Sequence, residues 1–329
     1  MKNWILRQTR DKSKTTPILF FPAARLLGIT IKELVHSAPL QARAMRAIAD
    51  LYPTSAALSM MDLSVEAEAF GSEIRFFDAD VPTVIGRLVK DRKDAEKLAV
   101  PNVGLKRDGI YVEGVRQAAG EIKDRPVFAG AIGPFSLAGR LMGMTEAMIN
   151  CYEDPETVHL LLRKASSYIG AYIQAFKEAG AGGVVMAEPA AGLLNPQFCR
   201  EFSSDYIKEI FEKVSDNDFI VVYHNCGNVI PLLPEIVAVG ADVYHFGNSI
   251  DIRDALAEIP ADRLVMGNIN PTLFSGESDE ELIRVTTGLL DMCGRHPNFV
   301  ISSGCDIPPA ADWNSIKLYF NLIRGYYGA

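Results

Sequence analysis

The chain has 329 residues, a length within the range of α/β barrels that fold around one core. Its composition, 48% hydrophobic and 22% charged residues with a mean hydropathy of +0.09, is typical of a globular protein. No apolar run reaches the roughly 18 residues that a membrane-spanning helix needs, so we predict no membrane segment. The formal net charge is −8 with both signs mixed along the chain, so we expect no nucleic-acid partner, which would require a basic patch.

The chain begins with MKNWILRQTRDKSK, which is basic but lacks the apolar core and cleavage site of a signal peptide. We predict that this stretch forms a short amphipathic helix and that the protein is cytoplasmic. The five cysteines are odd in number and scattered, and no export signal accompanies them. Reduced thiols are therefore expected rather than a disulfide framework.

Short β-branched runs alternate with long helical stretches along the chain. Several of these runs are apolar without alternation, as in parallel strands that are buried on both faces. The gap between the second and third runs is about 65 residues, too long for one crossover helix; we predict a small hairpin excursion near 71–90 and helices near 91–99 and 109–122. The eight predicted strands are 17–21, 57–61, 127–132, 183–187, 219–223, 242–246, 263–266 and 299–302.

Three helix starts are marked by capping residues. Asp154-Pro155-Glu156 places a cap, a proline and an acidic residue before an apolar helical repeat that runs until Gly180. Asn195-Pro196 repeats the cap-then-proline signal, and Asp312 is a candidate cap for the C-terminal helix. Eight strands separated by helices predict a (β/α)8 TIM barrel, with a doubly wound open sheet as the alternative. No linker or repeat interrupts 1–329, so one domain is expected.

The carboxyl ends of the predicted strands carry soft metal ligands. His224 and Cys226 follow the fifth strand, and Cys305 follows the eighth. In a barrel these ends meet at one mouth, and two cysteines with one histidine form a ligand set that binds zinc with an open fourth position. The alternative is an ordinary turn, with the cysteines as small buried residues. The other three cysteines fall in or near predicted helices and are interpreted as packing residues: Cys151, Cys199 and Cys293.

Other polar residues also end predicted strands. Arg25, Asp62 and Glu188 follow the first, second and fourth strands, and Asn248 and Asn268 follow the sixth and seventh. Asp62 and Glu188 are the candidate catalytic residues. Glu188 is alternatively a fourth metal ligand or a helix cap, and Asp62 is alternatively part of an Asx turn. The two asparagines are predicted to bind substrate.

Five stretches, spread from the second predicted strand to the eighth, resemble the uroporphyrinogen decarboxylase superfamily. Within it they are most similar to the cobamide-dependent methyltransferases of the methylcobamide:coenzyme M type. The superfamily has a (β/α)8 barrel, which agrees with the fold predicted above. The stretches are MDLSVEAEAFG (61–71), GAIGPFSLAG (130–139), AEPAAGLLNPQFCREF (187–202), YHNCGN (223–228) and SSGCDIPP (302–309).

Two positions separate the branches of this superfamily. Decarboxylases carry Arg-Gln-Ala-Gly-Arg after the first strand, where this chain has Phe21-Pro22-Ala23-Ala24-Arg25 and so lacks the first arginine. They also carry Gly-His-Gly after the eighth strand, where this chain has Gly304-Cys305-Asp306. Asp62 matches a decarboxylase aspartate but is similar in the methyltransferases too. The resemblance therefore favours a methyltransferase with zinc on His224, Cys226 and Cys305.

The resemblance implies transfer of a methyl group from a methylated corrinoid to a small thiol such as coenzyme M. Arg25 is a candidate to bind the sulfonate of that thiol, and Glu188 or water would take the resting fourth zinc position. The chain has no Asp-x-His-x-x-Gly stretch, so the methylcobamide is expected on a partner corrinoid protein. We expect a monomer or homodimer. The alternatives are a uroporphyrinogen decarboxylase and a non-catalytic zinc- or corrinoid-binding homologue.

Overall fold

The computed structural model describes residues 2–329 and contains a curled sheet of seven parallel strands. These are β1 (Ala57–Leu58), β4 (Val127–Ile132), β5 (Gly183–Ala187), β6 (Ile220–Asn225), β7 (Val243–Phe246), β8 (Leu264–Ile269) and β9 (Phe299–Ser303). They neighbour one another in that order, and every pair is parallel. A separate antiparallel hairpin, β2 (Glu73–Arg75) with β3 (Thr83–Ile85), lies where the excursion was predicted.

Helices connect successive strands and cover the outside of the sheet. The long gap between β1 and β4 holds five elements besides its loops, including α6 and α7 close to their predicted positions. The α-helices are α1 (Lys2–Arg10), α2 (Ala23–Leu27), α3 (Ile31–Val35), α4 (Ala38–Leu51), α5 (Val65–Phe70), α6 (Arg92–Lys97), α7 (Arg107–Glu121), α8 (Pro134–Met142), α9 (Met144–Glu153), α10 (Pro155–Glu178), α11 (Pro196–Cys199), α12 (Asp205–Val214), α13 (Leu233–Val237), α14 (Ile252–Glu258), α15 (Asp279–Cys293) and α16 (Trp313–Tyr327).

The predicted first strand, 17–21, is wrong as a strand. Pro17 has no N–H to donate, and the residues on either side of it contact β9 largely through side chains. The Ile18 N–H donates to Ser303 Oγ at 2.9 Å, and Ser302 Oγ donates to the Thr16 carbonyl at 3.0 Å. Residues 15–18 thus lie against β9 without a backbone ladder. The fold is an α/β, TIM-barrel-like arrangement of seven strands, and the eighth strand of a full barrel is absent from residues 2–329.

Parallel strands that are covered on both faces account for the continuous apolar runs in the sequence. Alternate residues of β5, such as Val184 and Val185, belong to two different buried clusters. One cluster fills the space between sheet and helices, and the smaller one fills the inside of the curled sheet. Trp4 of α1 joins the smaller cluster, and its Nε1 donates to the Ser55 carbonyl at 2.9 Å. Helix α1 therefore covers the amino ends of the strands, opposite the end with the candidate ligands.

Two of the three predicted caps are present as hydrogen bonds. Asp154 accepts from the Thr157 N–H at 3.3 Å, and Asn195 accepts from the Phe198 N–H at 2.9 Å. Asp312 precedes α16 but makes no capping hydrogen bond through its side chain. The large buried cluster extends from Leu19 to Ile323 of α16. One continuous core supports a single domain, which stays a prediction. No helix within residues 2–329 is long and apolar enough to cross a membrane.

Candidate metal centre

Three predicted ligands converge at the carboxyl ends of β6 and β9. His224 lies within β6, Cys226 directly follows it, and Cys305 lies two residues beyond β9. One ligand atom from each residue lies within 4.8 Å of the other two, and we call these residues the His–Cys–Cys group. His224 is buried, whereas both cysteines are half-buried, so the group is open on one side. The structure thus brings together side chains that are 81 positions apart in sequence.

The two thiols of the His–Cys–Cys group shift each other's pKa in opposite directions. Their mutual hydrogen bond, together with the contact from His224, lowers the pKa of Cys226. The same thiol–thiol hydrogen bond, followed by burial, raises the pKa of Cys305. The lowered pKa favours the thiolate form of Cys226, and the thiolate is the form that binds metal.

The donor set fits a zinc ion. Tetrahedral ligands about 2.3 Å from zinc lie roughly 3.8 Å from one another, which is compatible with a group confined to 4.8 Å. Two thiolates and one imidazole select zinc over the hard cations magnesium and calcium. Asp306, next to Cys305, has a buried Oδ1 without a hydrogen-bond partner among the described residues. A cation bound alongside would compensate such an atom.

A second histidine holds the ring of His224. The Nδ1 atoms of His224 and His245 are 2.8 Å apart, and the rings meet edge to face at a centroid distance of 4.8 Å. His245 Nε2 in turn lies 2.9 Å from Ser302 Oγ. Because Nδ1 of His224 is engaged in this way, its Nε2 is the nitrogen left for a metal. Sequence reasoning found no partner for His245, although a polar residue inside the buried run Val243–Phe246 is a signal of one.

Glu188 occupies the first turn of α8 rather than the His–Cys–Cys group. Its carboxylate accepts the N–H groups of Phe135 at 3.0 Å and Ser136 at 2.6 Å, and also the Ser136 hydroxyl. Burial raises the pKa of Glu188 to about 7. These contacts support the helix-cap alternative for Glu188. The capped helix is α8, which follows β4, whereas Glu188 itself follows β5. Its catalytic role stays a prediction.

Asp62 is held in a buried ion pair that sequence reasoning missed. Its Oδ2 accepts from Arg107 Nη1 at 2.6 Å and from the Tyr111 hydroxyl at 2.7 Å. Its Oδ1 accepts the Ser64 N–H at 3.0 Å, which is the Asx-turn contact that was left open. No local sequence signal identifies Arg107, which comes from α7, 45 positions away. Both carboxylate oxygens of Asp62 already have partners within the protein. A catalytic role for Asp62 stays a prediction.

The predicted substrate-binding residues have mixed environments. Arg25 is exposed, and its Nη1 donates to the carbonyls of Ala310 at 3.0 Å and Ala311 at 3.2 Å. Asn268 Nδ2 donates to the carbonyls of Gly247 at 3.0 Å and Ile250 at 2.9 Å, which holds the loop after β7. Asn248 in that loop is exposed. Contact of these residues with substrate stays a prediction.

A cleft with two lobes opens at the carboxyl ends of β1, β4, β5 and β9, and residues of β3 form part of its walls. The lobes have volumes of about 380 Å³ and 350 Å³, and they share Leu63 and Arg140 in their walls; we call them together the mouth cleft. Asp306, the residue after Cys305, lines one lobe. Arg140 of α8 is the only basic residue in either wall among the described residues, and its guanidinium has no hydrogen-bond or ion-pair partner there. Sequence reasoning missed Arg140 because it lies inside a helix.

These features define an α/β protein with a candidate thiolate–imidazole metal centre beside a cleft at the carboxyl ends of its parallel strands. The chain belongs to the uroporphyrinogen decarboxylase (URO-D) family, since the model of that family matches residues 14–326. The resemblance stated from the sequence is thereby confirmed.

Individual relatives fall on both branches of the family. Methylcobamide:CoM methyltransferase MtbA of Methanosarcina acetivorans is 30% identical over 247 residues, covering 71% of this chain and 72% of that one. Uroporphyrinogen decarboxylase of Chlorobium limicola is 28% identical over 289 residues, covering 84% and 81%. A solved structure described as a methyltransferase from Methanosarcina mazei shares the fold, with a TM-score of 0.83, 23% identity and coverage of 96% and 93%. Overall similarity therefore supports an enzyme family without separating the two activities.

Replacing Glu188 by alanine would leave the buried donors at the start of α8 without an acceptor. We expect the free energy of unfolding to fall by about 2–4 kcal/mol, with the zinc content unchanged. Denaturant unfolding and metal analysis measure the two effects. Glu201→Ala, at a partly exposed position beside His159, is the control and should cost at most about 1 kcal/mol. Loss of zinc with little change in stability would instead assign Glu188 as a ligand.

Gly247 allows the backbone of Cys226 to approach closely. A Cβ at Gly247 would lie 2.5 Å from the Cys226 Cα, so Gly247→Ala must displace that residue. We expect zinc affinity to fall by about tenfold or more in a chelator competition, because the ligand geometry is disturbed. Gly288→Ala, where a Cβ meets nothing within 4 Å, is the control and should bind zinc normally. Equal affinities in both variants would show that the approach at Gly247 does not position Cys226.

Proposed function

We propose that this protein is a zinc-dependent methyltransferase that moves a methyl group from a methylated corrinoid to a small thiol such as coenzyme M. The observation that carries the proposal is the His–Cys–Cys group, whose third member is Cys305 where the decarboxylase pattern has histidine. The similarity to methylcobamide:CoM methyltransferase MtbA supports the same branch. His224, Cys226 and Cys305 would hold the zinc.

When bound, zinc would lower the pKa of the substrate thiol so that it reacts as a thiolate. A free thiol with a pKa near 8.5 is only a few per cent ionised at pH 7, so full ionisation is worth roughly 30-fold, or about 2 kcal/mol. In the transfer the S–CH₃ bond forms as the Co–CH₃ bond breaks. The electron pair of the broken bond stays on cobalt, and the thiol proton passes to solvent. The remaining rate acceleration must come from positioning by the chain itself.

The mouth cleft supplies that positioning in the proposal. Asp306, next to Cys305 in the chain, connects the His–Cys–Cys group to one lobe of the cleft, and Thr83 and Val84 of β3 form part of its walls. Arg140 would bind the acidic group of the thiol, because its guanidinium is unpaired and Arg25 already donates to two backbone carbonyls. Asn248 and Asn268 remain candidates for polar contacts with the donor or the thiol.

The corrinoid would arrive on a separate protein that docks over the strand ends. Exposed apolar side chains lie on this side of the molecule, including Leu193 after β5 and Tyr152 of α9. Exposed apolar side chains that lie together are typical of a surface that binds another protein. We propose a cytoplasmic enzyme that acts as a monomer or homodimer.

A uroporphyrinogen decarboxylase is the second candidate, favoured by the relative from Chlorobium limicola with its longer matched length. It would have to bind a tetrapyrrole with many carboxylates, yet Phe21 is buried where that branch has its first arginine. Asp62 is also tied to Arg107 instead of being free for pyrrole nitrogens. A non-catalytic homologue that binds zinc or corrinoid is the third candidate, and a test of turnover separates it from the other two.

Cys305→Ser tests the metal and the activity together. We expect the wild type to carry one zinc per chain and to transfer methyl from methylcobalamin to coenzyme M. Cys305→Ser should lose zinc and at least about 100-fold in rate, because one of three ligands is replaced. Cys151→Ser, which changes a buried thiol in α9, is the matched control and should keep both properties. Metal-independent decarboxylation of uroporphyrinogen by the wild type would contradict the proposal.

Arg140→Ala tests the class of thiol. Loss of a hydrogen-bonded ion pair with the sulfonate should lower kcat/KM for coenzyme M by about 10- to 100-fold. The rate with neutral 2-mercaptoethanol should not change, because that thiol has no acidic group. Arg25→Ala is the comparison variant, because Arg25 is the other candidate for the sulfonate; its guanidinium donates to two backbone carbonyls, so we expect a loss of stability and an unchanged preference between thiols. Equal losses with both thiols in Arg140→Ala would contradict an anion-binding role for Arg140.

A further inference from the structure

Two buried imidazoles face each other behind the His–Cys–Cys group. His224 and His245 are 3% and 2% exposed, and they lie opposite each other in the register of β6 and β7. Their Nδ1 atoms are 2.8 Å apart, so one of these nitrogens carries the proton and the other accepts it. Which nitrogen is the donor decides whether His224 can bind a metal.

The rest of the hydrogen-bond chain fixes the direction. Ser302 Oγ contacts the Thr16 carbonyl at 3.0 Å and His245 Nε2 at 2.9 Å. A carbonyl only accepts, so the single hydroxyl proton of Ser302 goes to Thr16, and the serine oxygen accepts from His245 Nε2–H. A neutral His245 with its proton on Nε2 has a bare Nδ1, which accepts from His224 Nδ1–H. The Nε2 lone pair of His224 is then free on the side of the two cysteines.

The opposite arrangement is disfavoured by burial. It would require His245 to carry protons on both nitrogens, and no described carboxylate contacts that ring to balance the charge. Removal from water penalises an imidazolium, and both rings are almost fully buried here. In that arrangement His224 would accept at Nδ1 and carry its own proton on Nε2, where it would block the metal.

We propose that His245 is a positioning residue that fixes the tautomer and tilt of His224 for metal binding, in a chain that runs from the Thr16 carbonyl through Ser302. The inference rests on the proposed zinc site. A metal-binding histidine needs an acceptor for the N–H of its other ring nitrogen, and His245 is that acceptor for His224. Such partners of ligating histidines typically contribute 10- to 100-fold in metal affinity. His245 itself does not touch the metal, so its effect must pass through His224.

Two amide variants at His245 separate this role from simple packing. An asparagine oxygen takes the place of Nδ1 and can accept from His224, whereas a glutamine amide takes the place of Nε2 and leaves Nδ1 without a counterpart. We expect His245→Gln to weaken zinc binding by about 10- to 100-fold in a chelator competition and His245→Asn to recover most of the loss. Circular dichroism and unfolding midpoints of the metal-free proteins confirm that both variants are folded.

A spectroscopic readout completes the test without any activity assay. The chain has five histidines, so nitrogen-15 labelling of histidine gives a spectrum simple enough to assign by single substitutions. We expect metal-free His224 to be protonated on Nδ1 in the wild type and in His245→Asn, and to lose that preference in His245→Gln.

The outcomes distinguish this inference from the proposed function. Equal zinc affinities in the wild type and both variants, or a wild-type His224 protonated on Nε2, would overturn the role of His245 while the zinc site stands. A wild-type protein that binds no zinc would overturn both. Equal losses in the two variants would show a packing role only and would also overturn the assignment.

Discussion

The convergence of two thiols and one imidazole within 4.8 Å is the constraint on which the rest of this end of the molecule depends. Burying polar groups costs free energy unless each group has a partner. The surrounding residues provide such partners, or leave room for the ligands to approach. Curling of the parallel sheet brings the ends of β6 and β9 together, and Gly247 lets the Cys226 backbone fit. His245 takes the remaining nitrogen of His224. The proposed zinc would neutralise the negative charge that this arrangement gathers.

The same frame serves two activities in this family, so the choice between them depends on a few side chains. Position 305 carries a thiol and position 21 a buried phenyl ring. Together they favour a metal centre over a binding site for a substrate with many carboxylates. The unpaired guanidinium of Arg140 fits one small acidic group better than many. Overall sequence identity, close to 30% with both branches, does not decide the matter.

Sequence alone predicted much of the fold because its signals were local. Apolar runs marked the parallel strands, and Asp154 and Asn195 marked helix starts. The first strand was wrong because extended backbone beside Pro17 is joined through hydroxyl groups, which a β-branched run does not reveal. The three candidate ligands were found because strand ends share one face of a barrel. Arg107, Arg140 and the pairing of His245 with His224 depend on contacts between distant segments, which no local pattern encodes.

Zinc K-edge X-ray absorption of the purified protein, with and without coenzyme M, tests the central claim most directly. The account predicts a zinc ion with two sulfur ligands at about 2.3 Å and one nitrogen at about 2.0 Å, and a third sulfur when the thiol is added. A protein that binds no zinc, or a zinc shell of oxygen and nitrogen that the thiol does not change, would contradict it.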